Sequence, residues 1–275
     1  MTICDISAPI LRRPVVRRTT CVPAGFRECG DLAWRERGEV VEIVHRLDAA
    51  TICDSALLSG LIRLVDDGII AGQTAFEEAA TGIIRTCAAT EARAWAAFYD
   101  NSLRELRAGT SPFGPVHRRA RSLVAGDSLL EVGSCFGFLA LQCAEDGYRV
   151  QACDISAGAV ELLTMAARRR HTELIATMGD ATALPFDESS VDTVTLIHLL
   201  EHLDESAAEV ALSEALRVAR RRVVAAVPYE DRPSEHFGHL VRLTEVDLRR
   251  WTARLDHAGA RYFEDHGGWL ILTPR

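Results

Sequence analysis

The segment Ser128–Ala140, with the sequence SLLEVGSCFGFLA, constrains the fold of this chain more than any other stretch. Its first half is a short apolar run typical of a strand buried on both faces, and its second half is a glycine-containing turn that opens a helical pattern. Gly133 and Gly137 permit backbone angles and close approaches that a Cβ atom would block. A strand, a glycine turn and a helix in this order are typical of a loop that holds a nucleotide-type cofactor.

Further apolar runs alternate with helical patterns along the chain. Asp154 ends the second run, 23 residues after Glu131, where an acidic side chain can accept hydrogen bonds from both ribose hydroxyls. Asp180 follows the third run in the same way. The alternation predicts an α/β fold with a doubly wound parallel sheet, helices on both faces and ligands at the carboxyl ends of the strands. The three further runs are residues 148–153, 174–178 and 191–197.

The successive motifs EVGSCFG, CDIS, GDATALPF and LIHLLEHL resemble those of class I S-adenosylmethionine-dependent methyltransferases. The resemblance covers residues 116–275 and implies a Rossmann-like sheet of seven strands with S-adenosylmethionine as cofactor. It also implies which residues hold each part of the cofactor. These are Glu131, Gly133, Ser134 and Gly137 for the methionine part, Asp154 for the ribose, Ile155 for the adenine face, and Asp180 with Ala181 for the adenine edge.

One position departs from the family pattern, because Cys135 stands where a glycine is usual. A side chain there is tolerable if it points away from the ligand. The main alternative is an NAD-binding domain, but the fingerprint G-x-G-x-x-G would require glycine at Cys135 and Phe138. A cofactor-free α/β core is a further alternative, although four motifs in the family's order are hard to explain by core packing.

Composition excludes several classes of function. A net charge of −8 disfavours a nucleic-acid partner, since polyanion binding depends on a basic surface. All 31 basic residues are arginine, which excludes lysine Schiff-base chemistry and suggests a high-GC bacterial source. The eight cysteines form no C-x-x-C pair and are predicted to be reduced thiols. Without a signal-like amino terminus or an 18-residue apolar run, we expect a cytoplasmic protein that does not insert into membranes.

The first 110 residues are predicted to form a mainly helical accessory region, separated from the methyltransferase-like region by the SPFGP sequence at 111–115. Residues 32–47 read as a hairpin that turns near Gly38, and three helical patterns follow. The resemblance implies that such a region covers the acceptor side of the cofactor. Trp95, Phe98 and Tyr99 could line an acceptor pocket there, but their helical spacing favours a core position.

The carboxyl-terminal residues are predicted to complete the sheet. Thr244 is expected to cap a helix from Glu245 to about Ala258, and Gly259 to end it. Residues 261–265 and 269–273 suit an antiparallel hairpin.

The sequence HLLEH at 198–202 follows the fourth predicted strand, at the edge where the cofactor's methyl group is expected. At helical spacing, His198, Glu201 and His202 face one side. An alcohol acceptor needs either a base or a metal ion that lowers its pKa, and this cluster offers both. H-x-x-E-H is also the inverted zinc-protease signature, but a strand that runs directly into it disfavours a protease.

The same segment resembles the E-x-x-E-H metal site of certain divalent-metal O-methyltransferases, and His239-Leu-Val-Arg-Leu-Thr244 matches a second motif of the small-RNA ribose methyltransferases among them. The resemblance implies a metal held by His198, Glu201, His202 and His239. A nitrogen ligand at His198 in place of a carboxylate shifts the preference from magnesium toward manganese, iron or zinc. Alternatively, His198 contacts the cofactor, and His202 acts as a general base or as a structural histidine.

These features favour S-adenosylmethionine-dependent O-methylation of a hydroxyl, with Glu201, His202 and His239 as catalytic candidates and a sugar or oligosaccharide as acceptor. The loop GSCFGFL and the absence of lysine also resemble the mycofactocin oligosaccharide methyltransferases of actinobacteria, which implies 2-O-methylation of a glucose unit in a glycan. Two alternatives stay open: a quinone-like or other lipophilic small-molecule acceptor, and a cofactor-binding subunit without catalytic activity.

Overall fold

The structure is a computed structural model that describes residues 13–275. It divides into two compact units. The first comprises the described residues up to Glu105 together with Glu235–Gly238, and the second comprises Leu106–Ser234 and His239–Arg275. Cys4, one of the eight cysteines, lies outside the described residues.

A four-stranded sheet in the order β1-β4-β3-β2 forms the first part of the first unit. Its strands are β1 (Arg13–Arg18), β2 (Arg27–Cys29), β3 (Leu32–Arg37) and β4 (Val40–His45). The antiparallel pair β3 and β4 is the predicted hairpin, and Gly38 turns it with a φ of +62°. The strands β1 and β2 were not predicted, because both are short and most of their residues are exposed, and because β1 pairs with β4, which lies beyond β2 and β3 in the chain.

Three helices follow in the chain: α1 (Asp54–Asp66), α2 (Gly72–Thr86) and α3 (Glu91–Ala108). On α3, Trp95, Phe98 and Tyr99 are all buried. Their rings pack edge to face, with centroids 5.9 Å apart for Trp95 and Phe98 and 6.1 Å apart for Phe98 and Tyr99. These contacts agree with the core position that their spacing favours. The role predicted for the accessory region stays a prediction.

The second unit is built on a seven-stranded sheet in the order β10-β11-β9-β8-β5-β6-β7. The strands β5 to β9 run parallel to one another. The strand β11 lies between β9 and β10 and is antiparallel to both. This confirms the predicted Rossmann-like α/β fold. The strands are β5 (Ser128–Val132), β6 (Arg149–Asp154), β7 (Leu174–Met178), β8 (Val191–Ile197), β9 (Ala219–Val227), β10 (Gly259–Glu264) and β11 (Gly268–Thr273).

Helices connect these strands: α4 (Gly114–Ser122), α5 (Phe138–Glu145), α6 (Ala157–Arg170), α7 (Glu205–Val218) and α8 (Glu245–Thr252). The central strand β5 is buried along its whole length, and β8 is buried at six of its seven residues. This burial explains why both strands read as largely apolar runs without a polar alternation. Because the strands are parallel, the carboxyl ends of β5, β6, β7 and β8 lie at one edge of the sheet, where the predicted site residues follow them.

The last helix is shorter than predicted. It begins after Thr244, whose amide and hydroxyl both donate to the Asp247 carboxylate, but it ends at Thr252 and not near Ala258. Beyond Thr252, the Leu255 amide donates to the Thr252 carbonyl at 3.1 Å, which is a tighter turn than an α-helix. Gly259 therefore opens β10 instead of ending the helix. None of the helices within residues 13–275 combines the length and the apolarity needed to span a bilayer.

Candidate active site

The glycine loop after β5 is held by backbone hydrogen bonds to the neighbouring strand. The amides of Gly133 and Ser134 donate to the Cys153 carbonyl at 2.8 and 3.1 Å, and the Gly137 amide donates to the Ser134 carbonyl at 2.6 Å. Gly133 and Gly137 have φ angles of +72° and +69°. A Cβ atom at Gly133 would lie 2.7 Å from Leu199 Cδ1, so glycine is required there by both conformation and space.

Cys135 adopts the left-handed conformation with a φ of +48° and has an exposed side chain. This conformation explains why glycine is usual here, since an L-residue in this region costs about 1 kcal/mol. The Cys135 amide donates to Asp154 Oδ2 at 2.7 Å. The loop therefore turns the Cys135 backbone toward the end of β6.

Asp154 connects three neighbouring segments at the carboxyl edge. Its Oδ2 accepts from Cys135, its Oδ1 accepts from the Ser156 amide at 2.8 Å, and its backbone carbonyl accepts from the Gly179 amide at 3.0 Å. Each carboxylate oxygen has a second lone pair that can accept from a ribose hydroxyl. The side chain is thus fixed in position without being fully saturated.

Glu131 is buried, and its Oε2 accepts from the Ala140 amide in the first turn of α5 at 2.8 Å. Burial raises the pKa of Glu131 to about 8, because the loss of hydration outweighs this hydrogen bond, and the charge of Asp154 raises the pKa further. Glu131 and Asp154 together favour a cationic ligand, because its positive charge would offset the cost of burying the Glu131 anion and the repulsion between the two carboxylates.

Asp180 and Ile155 complete the predicted cofactor residues at the ends of adjacent strands. Asp180 Oδ1 accepts from the amide and the hydroxyl of Thr182 at 2.8 and 2.7 Å, and these hydrogen bonds hold the pKa of Asp180 below its usual range. The Ile155 side chain is 73% exposed although it is apolar, and Ala181 is partly buried against the core. The exposed Ile155 side chain suits the face of an adenine base, and the fixed Asp180 carboxylate suits its edge.

A second cluster lies beyond β8, where Leu200–His202 form a 3-10 helix. Ligand atoms of Glu201, His202 and His239 all lie within 4.8 Å of one another. The His202 and His239 rings stand at 90° with centroids 4.9 Å apart. The amide of Leu240 donates to the Glu201 carbonyl at 2.8 Å, which fixes the segment that carries His239 beside the 3-10 helix.

Glu201 is the most constrained member of this cluster. It is 1% exposed, and neither carboxylate oxygen has a hydrogen-bond partner. Burial raises the pKa of Glu201 to about 8. An unpartnered buried carboxylate is costly, and two adjacent imidazoles can share a cation with it, so the donor set fits a divalent metal ion.

Sequence reasoning missed Glu230. Its Oε2 lies 2.8 Å from His239 Nδ1, and its Oε1 accepts from the Ser234 hydroxyl at 2.6 Å. Burial disfavours the charge of Glu230, but these two hydrogen bonds hold its pKa below the usual range. The available signal was its place three residues after the end of β9, at the same edge of the sheet as the other site residues.

His198 is not among the side chains whose ligand atoms lie within 4.8 Å of one another, so this geometry brings together three of the four predicted ligands, and the set of four stays a prediction. The spacing argument assumed a helix from residue 198, but the 3-10 helix begins at Leu200 and His198 precedes it with a φ of +53°. Its amide donates to the Ala226 carbonyl at 2.8 Å, and its ring meets Phe113 edge to face, with centroids 6.4 Å apart. Burial lowers the pKa of His198 to about 4, so the ring is neutral at pH 7.

Comparisons with known proteins agree with this fold. Residues 130–227 match the family model described as a methyltransferase domain. A demethylmenaquinone methyltransferase of Beutenbergia cavernae is 39% identical over 103 residues, which cover 36% of this chain and 40% of that protein. The enzyme of the same name from Renibacterium salmoninarum is 35% identical over 97 residues, covering 35% of this chain and 38% of that protein. The chain thus spans about 40% of the length of the curated relatives it matches.

A solved structure shares the fold. A protein of Pyrococcus horikoshii superposes with a TM-score of 0.52 at 13% identity, over 62% of this chain and 92% of that one. The segment that matches the family model, residues 130–227, includes most of β5 and the whole of β6 to β9. The glycine loop, Asp154, Asp180 and Glu201 lie within it. Residues 130–227 of the second unit therefore match a methyltransferase domain, and the sheet that carries them has a Rossmann-like fold.

Proposed function

We propose that this chain binds S-adenosylmethionine and methylates a hydroxyl group of a small molecule, and that a sugar or oligosaccharide is the acceptor. The observation that carries the proposal is the position of Glu201, His202 and His239 at the same strand edge as the cofactor residues. When bound, the cofactor supplies a methyl group on a sulfonium, so the protein chiefly has to align that carbon with the acceptor oxygen and exclude water.

Each cofactor residue has a stated task in this proposal. Asp154 accepts from the ribose hydroxyls while the Cys135 and Ser156 amides hold its carboxylate in place. Asp180 and Ile155 receive the adenine. Glu131 compensates the positive charge of the methionine part and is itself stabilised as an anion by that charge.

The acceptor hydroxyl is a poor nucleophile until its proton is removed. We propose that Glu201, His202 and His239 hold a divalent ion such as manganese, iron, zinc or magnesium. When bound, such an ion lowers the pKa of a hydroxyl that contacts it. The alternative mechanism needs no ion: His202 takes the proton, and the buried Glu201 stabilises the imidazolium that forms.

The acceptor class has two candidates. A sugar hydroxyl, including a glucose unit of a mycofactocin-type glycan, is favoured by the His/Glu cluster, because an alcohol needs activation. A quinone-like acceptor is favoured by a different observation, the similarity of about a third of this chain to enzymes named demethylmenaquinone methyltransferase.

Isotope-labelled S-adenosylmethionine tests the proposal. Calorimetry should detect cofactor binding, and mass spectrometry of cell extracts incubated with the chain and labelled cofactor should find the label on a hydroxyl oxygen of a saccharide. Label on a quinol or its ring would establish the second candidate. Binding without transfer to any acceptor would point to a cofactor-binding subunit, and no binding would refute the proposal as a whole.

Substitution of His202 separates chemistry from binding. His202→Gln should lower the rate of transfer by at least about 100-fold while leaving the Kd for S-adenosylmethionine within about threefold. The matched control is His171→Asn at an exposed histidine that follows α6, which should change neither quantity. A reversed pattern, with lost affinity and normal turnover, would remove His202 from the reaction centre.

A further inference from the structure

The contact between Glu230 and His239 carries an inference that rests on the proposed metal centre and deepens it. The His239 ring lies between two carboxylates. Its Nδ1 lies 2.8 Å from Glu230 Oε2, and its Nε2 lies 4.0 Å from Glu201 Oε1. These two carboxylates differ in their hydrogen bonding and in their burial.

The first difference is hydrogen bonding. Glu230 also accepts from the Ser234 hydroxyl at 2.6 Å, and the Arg242 side chain donates to the Glu230 backbone carbonyl at 2.8 Å. Glu201, by contrast, has two oxygens without hydrogen-bond partners. The Glu230 carboxylate is therefore held in place by hydrogen bonds, whereas the Glu201 carboxylate is not.

The second difference is burial. The side chain of Glu230 is 20% exposed, whereas that of Glu201 is 1% exposed and that of His239 is 8% exposed. Water can still reach the outer carboxylate, while the inner one is enclosed. A cation between Glu201 and His239 would have protein ligands on the inner side and a charged support behind the histidine.

The hydrogen bond to Glu230 also decides which nitrogen of His239 can bind an ion. A carboxylate accepts hydrogen bonds, so Nδ1 carries the proton that it donates to Glu230. The lone pair is then on Nε2, the nitrogen that faces Glu201. A second carboxylate behind a ligating histidine fixes the ring orientation and makes the ligand nitrogen more basic.

We infer that Glu230 is the positioning residue of a divalent-metal centre formed by Glu201, His202 and His239: it holds the His239 ring so that Nε2 faces the ion. Glu230 does not itself bind the ion. It acts through His239, with Ser234 fixing the carboxylate from the other side.

Metal affinity of the full chain tests this inference directly. After removal of metals with chelator, titration with manganese(II) chloride should show one bound ion per chain for the wild type. Glu230→Ala should weaken that affinity by about 10- to 100-fold. Glu230→Gln should retain more of it, because the amide oxygen can still accept from Nδ1. The matched control, Asp231→Asn, removes an adjacent exposed carboxylate and should leave the affinity unchanged.

A purely structural role for Glu230 would not predict a change in the His239 ring. Long-range proton–nitrogen NMR on the metal-free chain should show the Nδ1–H form of His239 in the wild type and a shift toward the Nε2–H form in Glu230→Ala. Ser234→Ala, which keeps the Glu230 carboxylate, should produce a smaller loss of manganese affinity in the same direction. This second variant keeps the test decisive if Glu230→Ala does not fold.

Two results would overturn the inference. One is manganese binding in Glu230→Ala that equals that of the wild type, with both chains folded. The other is a wild-type chain that binds no manganese, which removes the metal centre as well. Calorimetry with S-adenosylmethionine on the same samples distinguishes these failures from a failure of the methyltransferase proposal, since cofactor binding does not depend on Glu230.

Discussion

The Cys135 amide donates a 2.7 Å hydrogen bond to Asp154 Oδ2, so the glycine loop after the first strand of the large sheet is tied to the end of the next strand. Asp154 thereby has two tasks. It orders the loop through its contacts to the protein and offers its remaining lone pairs to a ligand.

Asp154→Asn should weaken the binding of S-adenosylmethionine by about 10- to 100-fold, because charge-assisted hydrogen bonds to the ribose and to Cys135 are lost together. Isothermal titration calorimetry gives the Kd. Asp187→Asn, at an exposed aspartate in the turn before β8, is the control and should bind as the wild type does. Equal affinities for the two variants would show that Asp154 is not a cofactor residue.

Two positions of left-handed backbone in the loop, Gly137 and Cys135, should respond differently to substitution. Gly137→Ala should lower the free energy of unfolding by about 2 to 4 kcal/mol, because a Cβ atom would overlap Leu163 in addition to the strain of a positive φ. Cys135→Gly should be neutral or should stabilise by up to about 1 kcal/mol, because it relieves that strain.

Gly147→Ala is the matched control for the glycine series, since Gly147 has a φ of +93° and open space around its Cβ position. It should cost only the conformational strain, about 1 kcal/mol. Urea denaturation of the three variants measures the differences. If Gly137→Ala loses no more stability than Gly147→Ala, the close contact with Leu163 does not limit the loop.

Glu131 should make the cofactor-free protein less stable as the pH rises. Its pKa is raised from 4.5 to about 8 by burial, so the stability it contributes is fully present below pH 4.5 and is lost as the pH rises through 8. The loss is on the order of 5 kcal/mol at most. Glu131→Gln should flatten the pH dependence of unfolding between pH 5 and pH 8. An unchanged slope in the variant would mean that another group causes it.

His45 should have the opposite effect at acidic pH. It is fully buried, its Nε2 lies 2.7 Å from the Thr86 hydroxyl, and burial lowers its pKa from 6.5 to about 4. The stability it contributes is present above pH 6.5 and is lost as the pH falls through 4, by up to about 3 kcal/mol. His45→Gln, measured by thermal unfolding from pH 7 to pH 4, should lose less stability on acidification than the wild type.

The exposed His171 provides the comparison for His45. His171→Asn keeps a residue that tolerates the left-handed conformation of that position, and it should acidify with the wild-type profile. If both variants follow the wild-type curve, His45 does not govern acid stability.

Glu201→Gln should abolish metal-dependent stabilisation without harming the metal-free protein, because it removes a buried carboxylate that has no hydrogen-bond partner. In the wild type, manganese at about 100 times its Kd should stabilise by about 2.7 kcal/mol and raise the Tm by about 5 °C. His198→Asn should keep that shift, since His198 lies outside the cluster. Loss of the shift in His198→Asn would restore the predicted four-ligand site.

The α/β fold of the second unit and the order of its motifs could be predicted from the amino-acid pattern alone. Buried parallel strands read as apolar runs, so their positions and the residues at their ends follow from local pattern. The sequence pattern therefore predicts that Glu131, Asp154 and Asp180 lie toward one edge of the sheet. The strands β1 and β2 of the first unit were not accessible in this way, because both are short and mostly exposed, and β1 pairs with β4, which lies beyond β2 and β3 in the chain.

The grouping of side chains in the His/Glu cluster depends on contacts between segments that are separate in the chain. Spacing grouped His198 with Glu201 and His202, but His198 has a left-handed backbone ahead of the 3-10 turn and is not among the side chains whose ligand atoms lie within 4.8 Å of one another. Glu230 entered the site because the chain returns after β9 and places its carboxylate against His239. Periodicity describes side chains within one regular element, whereas ligand geometry depends on angstrom-scale contacts between loops from different elements, which no local pattern contains.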